Sequence, residues 1–375
     1  MSGTAASDAW CQASSVLGLL VPAAFLLGLL LRRGLTAILQ EPLVGLARFP
    51  AAELAAVAVA IGGWWWEVHS LGQLPSGVGQ ADAGTICLRL VGHLILFTLL
   101  TAAAWVDLRY RVIPDAITVP GVLAGLAWNA VLPATLLPVG RSVERSFAPP
   151  VLEPDVLGAF GPLGAANQPL WLTGIAGLAA MLLLFVVWWW FGLPPAVTDA
   201  PAGQADPWPR WLNPGIAAVG GAGIVAAWFC GGDNWAGLVT ALMGLAVAAG
   251  MIWAVRAGAS RALGREALGF GDVTLMAMAG AWLGWQACLL ACVLAVFIGL
   301  AHGLAQFVRH AESELPFGPS LCLGLAAVVI GWRPAWAAAA PQFERPGELA
   351  TVVVIVITAT AVTLAVWARL RGPTA

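Results

Sequence analysis

Ten apolar runs, each of a length that suits a membrane-crossing helix, follow one another along this chain: 15–31, 51–66, 85–106, 114–137, 171–193, 215–231, 235–255, 286–308, 320–336 and 349–369. A helix needs about 17–25 mostly apolar residues to cross the hydrocarbon core. In lipid the backbone must also satisfy its own hydrogen bonds. Repeated runs of this kind therefore leave an all-α fold, a polytopic integral membrane helix bundle with about 9–11 hydrophobic segments. Composition agrees: only 10% of residues are charged and the mean hydropathy is +0.88, against roughly 25% charged residues in soluble domains. The runs 51–66 and 215–231 are short. A further run, 272–284, is brief for a full crossing, and we read it as the first arm of a hairpin that turns near Gly284-Trp285 and returns through 286–308.

All seventeen basic residues are arginine. Threading the runs alternately, with the hairpin returning to its starting side, places twelve arginines on one face and five on or towards the other. By the positive-inside bias the first face is cytoplasmic. The first run lacks a basic lead-in and is followed by Arg32 and Arg33, so it is expected to remain as an anchor with the N-terminus outside. Cys11 precedes the run, which does not suit a lipoprotein. A net charge of −2 argues against a nucleic-acid partner. The six cysteines form no C-x-x-C pair, so neither a zinc nor a redox motif is visible, and no metal or cofactor is expected.

The chain divides at about residue 50. Residues 1–50 read as an N-terminal anchor helix and short cytoplasmic loop, and 51–375 as the membrane-embedded body. Two Pro- and Gly-rich connections, 138–170 and 194–214, read as loops or linkers. The tryptophan triplets Trp64–Trp66 and Trp188–Trp190 end their spans as interfacial anchors do.

Two aspartates sit in apolar surroundings far apart in sequence, Asp107 in WVDLRYRVIPDAIT and Asp272 in LGFGDVTLMAMAGAWLGW. A carboxylate at a transmembrane helix centre costs about 2.5–3.5 kcal/mol on insertion scales, so such groups are functional-site candidates by default. The arginine map puts both at the cytoplasmic ends of their segments, at similar depth. Beyond Asp107, Ile113-Pro114 breaks the helix, and Asp115 then stands where it can cap the next one. Gly269 and Gly271 precede Asp272, and glycine permits the close backbone approach that an extended peptide requires. The plainer reading of Gly269–Asp272 is a tight turn with an N-cap aspartate. As a pair, Asp107 and Asp272 suit aspartyl hydrolysis: one carboxylate, ionised, takes a proton from water while the other, protonated, donates to the scissile carbonyl. Neighbouring carboxylates share a proton and titrate as a unit. No G-x-S-x-G or H-E-x-x-H occurs, and His69, His93, His302 and His310 are scattered. His93, inside a span, reads as a satisfied core histidine.

These stretches together resemble the bacterial prepilin peptidases, the GxGD-type membrane aspartic proteases of type IV pili and type II secretion. The carrying residues are Asp107 with Ile113-Pro114-Asp115, then Gly269–Asp272 with Gly280-Ala281-Trp282-Leu283-Gly284, then Leu315-Pro316-Phe317-Gly318-Pro319, and Phe49-Pro50-Ala51-Ala52-Glu53. The resemblance covers about 49–130 and 236–330, with 138–235 as an inserted region. It implies that Asp107 and Asp272 are catalytic, with Gly269, Gly271, Asp115, Pro316, Gly318 and Pro319 supporting them or the substrate. It implies as partner the N-terminal segment of a prepilin or pseudopilin, cut at the cytoplasmic face of the inner membrane, with the lipid bilayer as surroundings. The C-terminus falls on that same face.

This chain departs from the family pattern in three places. The loop RRGLTAILQEPLVGLARFP between the first two runs has no cysteine, whereas many members carry paired C-x-x-C motifs there. Methyl transfer to the new N-terminus is therefore not expected. Thr274 stands where the family has lysine, removing a positive charge beside Asp272, so the pair's pH optimum should differ. The runs 171–193 and 215–231 have no counterpart in the resemblance. A competing class is a proton- or cation-coupled transporter, in which paired carboxylates bind the ion. That class predicts broken helices meeting at the midplane and some inverted internal symmetry; this sequence places both aspartates near one interface and shows no such symmetry.

Overall fold

A computed structural model of the chain describes residues 19–34, 36, 51–75, 83–138, 170–192, 212–264, 266, 268–308 and 317–343. Every regular element among them is helical, as the apolar runs require. We number them α1 (19–34), α2 (Ala51–Gly63, running on as a π-helical turn Trp64–His69), α3 (Ala83–Tyr110) and α4 (Asp115–Val131). Then come the short α5 (Leu170–Thr173), α6 (Ile175–Gly192), α7 (Asn213–Cys230), α8 (Gly232–Leu263), α9 (Phe270–Val308), α10 (Gly318–Ile330) and α11 (Trp332–Phe343). Five helices are long and apolar enough to cross a membrane, or six if α10 and α11 count as one broken span. The run 349–369 and most of the two Pro-rich connections lie outside the described residues.

The chain forms two compact units, Met1–Gly72 with Ala81–Ala102, and Gln73–Gln80 with Ala103–Ala375. The first has a small core in which Leu20, Ala24, Ala60, Leu90 and Leu94 pack together. It also buries charge. Arg32 Nε pairs with Glu53 at 3.0 Å, in the first turn of α2. His93 Nδ1 lies 2.8 and 2.9 Å from the two carboxylate oxygens of Glu67, and Arg89 is close enough to feel that charge. His93 is thus a satisfied core histidine, as its place in a span suggests. Its partner, set in the π-helical turn, carries no signal in the sequence.

The second unit is built around α8 and α9. Gly244 and Gly280 let their backbones touch: a Cβ on either glycine would collide with the other's carbonyl oxygen. In lipid, with no hydrophobic drive between helices, such close approach supplies packing that larger side chains would prevent. Gly284 interrupts α9 at φ 78° and ψ 172°, a conformation open to glycine and strained for other residues. The contacts show that the chain doubles back there. A Cβ on Gly271 would stand 2.9 Å from Ile113 Cβ, and one on Gly318 3.0 Å from Ile113 Cδ1. On the far arm, Gly299 lies beside Phe317 and Ser320. Both arms therefore end near the start of α10, whereas a straight helix would hold Gly271 and Gly299 about 42 Å apart. The expected hairpin exists, turning at Gly284.

A helix end leaves carbonyls without donors, and Asn129 on α4 supplies one to this end. Its Nδ2 donates to Ala281 O at 2.7 Å and Trp282 O at 3.2 Å. The Trp282 indole in turn donates to Gly121 O at 2.9 Å, so α4 and the first arm are tied in both directions. Asn129→Leu should lower unfolding stability by about 1–2 kcal/mol, the scale of interhelical hydrogen bonds in model membrane peptides. Chemical unfolding in micelles measures it, and an unchanged midpoint would show that other donors serve the turn.

Two expectations need correction. The run 320–336 is not one straight span: α10 and α11 meet at 94° around Gly331, with Arg333 and Pro334 just beyond the bend. The tryptophan triplet at 188–190 does not anchor as a set either. Trp190 faces outward, but Trp188 is buried with its ring 5.5 Å from Phe185.

Candidate active site

Asp107 occupies the last turn of α3, and the residues after it fold the chain back over it. Arg111 donates its backbone N–H to Asp107 O at 2.8 Å and takes φ 57°. A single left-handed residue of this kind ends a helix, and a non-glycine side chain there carries strain. Val112 and Ile113 then run without helix to Pro114, which restricts the residue before it to extended conformations. Pro114, at φ −74° and ψ 142°, is the N-cap of α4 and accepts from Ile117 N at 3.0 Å. Asp115 is therefore the first residue inside α4, not its cap, although its charge still complements the helix dipole.

The same excursion sets Ile113 between Gly271 and Gly318. Asp272 lies in the first turn of α9, and its carboxylate takes a hydrogen bond from the Gly269 backbone. It is therefore not the N-cap, since the helix begins two residues earlier. Thr274 donates to Gly271 O at 3.0 Å, turning its hydroxyl back on its own helix. Asp107 and Asp272 are 6% and 7% exposed. They lie close enough for the charge of one to act on the other.

Gly318 completes the site from α10. Its backbone hydrogen-bonds to the Asp107 carboxylate, and a Cβ there would collide with Asp107 Oδ2. Pro319 follows within the first turn, where a missing N–H costs nothing, and both residues are buried. Cys322, on the next turn and buried, lies within electrostatic reach of both aspartates. Pro316 lies outside the described residues. Gly269, in contrast, is exposed and nothing comes within 3.9 Å of where its Cβ would be. Of that pair, only Gly271 is approached closely by another part of the chain, at Ile113.

Three segments remote in sequence thus converge: the end of α3, the start of α9 and the start of α10. Sequence reasoning missed Ile113, Cys322 and Arg256. Arg256 of α8 donates from Nε to Leu268 O at 2.9 Å. No group of three or more His, Cys, Asp or Glu side chains among the described residues is arranged to hold a metal ion.

The model of the type IV leader peptidase family matches residues 209–304, which include Asp272. The chain is similar to that family. The match begins ahead of α7, a helix assigned above to the inserted region. Curated proteins named prepilin leader peptidase/N-methyltransferase are also similar. That of Aeromonas hydrophila is 31% identical over 103 residues, 24% of this chain and 36% of the relative. That of Burkholderia pseudomallei strain 1026b is 42% identical over 74 residues, 19% and 24% of the two chains. The Stutzerimonas stutzeri protein is 35% identical over 114 residues, 30% and 39%. The similarity thus spans between a quarter and two-fifths of the length of these leader peptidases. No solved structure matches.

Proposed function

We propose that this membrane protein is an aspartic leader peptidase that removes the N-terminal leader of type IV prepilins or type II secretion pseudopilins. One observation carries the proposal. Asp107 and Asp272, 165 positions apart in sequence, are buried together at the meeting of three helix ends, and the leader peptidase match includes the second of them. Intramembrane carboxylates are costly, and a pair is retained where it does work.

In the reaction, an ionised carboxylate takes a proton from water as it attacks the scissile carbonyl. The protonated partner gives its proton to the carbonyl oxygen, and collapse of the tetrahedral species passes a proton to the leaving amine. The arginine bias supports a site at the cytoplasmic face, which we assign to the inner membrane. There the polar leader can approach while its apolar segment stays in lipid.

The test is to express the chain with a leader-bearing prepilin and follow the substrate's size for wild type, Asp107→Asn and Asp272→Asn. Cleavage by wild type alone is expected. Cleavage surviving either substitution overturns the pair, and proton flux into proteoliposomes without proteolysis points to a transporter. A labelled-methyl assay with S-adenosylmethionine should show cleaved but unmethylated product, since the loop between the first two runs lacks the family's paired cysteines. A methylated product contradicts that expectation.

A further inference from the structure

The segment that carries Asp272 leaves α8 through a short connection and enters α9 at Phe270, so something must fix it. Arg256, two turns before the end of α8, reaches this segment by three contacts. Its Nε donates to Leu268 O at 2.9 Å. Its guanidinium carbon lies 5.8 Å from the centroid of the Phe270 ring. Its Nη2 pairs with Glu266. The first two contacts fall on the residues flanking Gly269, whose own backbone hydrogen-bonds to the Asp272 carboxylate.

We propose that Arg256 is a positioning residue for Asp272, a clamp that holds Leu268–Phe270 so that the carboxylate meets Asp107. The clamp rests on the peptidase reading for its purpose. Its operative parts are the Nε donor and the planar face over Phe270, which only arginine offers together. The Glu266 pair is secondary: that side chain is 63% exposed, and ion pairs in water contribute little. Lysine at position 256 can keep the charge and the pair. It cannot hold a guanidinium over the Phe270 ring while a second nitrogen of the same group reaches the Leu268 carbonyl.

Three variants separate these contributions: Arg256→Lys, Arg256→Met and Glu266→Gln, each full length in nanodiscs. Two readouts are taken, amide hydrogen exchange across 268–273 and kcat with KM on a prepilin peptide. Both Arg256 variants should exchange about tenfold faster there and lose about tenfold in kcat, with KM within twofold of wild type, because a positioning residue acts on the geometry of the reacting group rather than on uniform substrate binding. Glu266→Gln should match wild type in both. Wild-type exchange and kcat in Arg256→Met overturn the clamp. So does a Lys variant that behaves as wild type, a Glu266→Gln variant as damaged as the Arg256 ones, or a raised KM at unchanged kcat. The exchange readout tests the clamp even if wild type cuts no prepilin, in which case the peptidase reading alone falls.

Discussion

Asp107→Asn and Asp272→Asn should each lower the cleavage rate by at least about a thousandfold, and the double variant should be no slower than either single one. Groups that act as a unit are strongly non-additive, because removing one already disables the step. Asparagine keeps the shape of each side chain but neither accepts the proton from water nor supplies one to the carbonyl. The same change relieves the repulsion between two carboxylates buried close to one another. Stability should therefore hold or rise while activity vanishes. Two independent, multiplying losses would mean that the carboxylates serve separate purposes. A fall in the unfolding midpoint of both variants would mean that the pair is there for the fold.

Parts of this arrangement can be read from the sequence, and the physics says which. The run 272–284 is too short to cross and ends in glycine, so a hairpin at Gly284 follows from length alone. Pro114 announces the break after Asp107, and two carboxylates in apolar segments announce themselves by their cost. The third party to the site is named only through the family resemblance, not by local physics. Nothing local marks Gly318 as resting on Asp107, since the contact joins residues more than two hundred positions apart. Arg256 reads as one more cytoplasmic anchor in an arginine-biased chain, because its role depends on where Leu268 and Phe270 fold. The pairing of Glu67 with His93 is hidden for a similar reason: the glutamate sits in a tryptophan-rich helix end that suggests only an interface. The bend at Gly331 escapes a hydropathy reading, which records composition without direction, although Gly331 and Pro334 mark the place.

Gly318→Ala should leave the protein folded and all but inactive, with cleavage down about a hundredfold or more. The expected split follows from what an added methyl would meet. On one side stands Ile113 Cδ1 at 3.0 Å, the tip of a side chain that can swing aside. On the other stands Asp107, with Cγ at 3.1 Å and Oδ2 closer still. An aspartate side chain also yields by rotating about its own bonds, so the methyl is accommodated at little cost in stability. What yields, however, is an oxygen of the proposed catalytic pair, and a displacement on the scale of 1 Å at reacting groups costs about a hundredfold. Gly271→Ala meets a different obstacle. The nearest atoms there are Ile113 Cβ at 2.9 Å and the Ile113 backbone at 3.3 and 3.4 Å, and these cannot rotate away. Its loss should be seen in stability as well as in rate. Gly269→Ala, whose added carbon makes only ordinary contact, with Asp272 Oδ2 at 3.9 Å and Gly271 N at 4.0 Å, should change both little. Thermal unfolding in micelles beside prepilin cleavage distinguishes the three. An active Gly318→Ala would mean that Asp107 works from some position other than the one α10 presses it into.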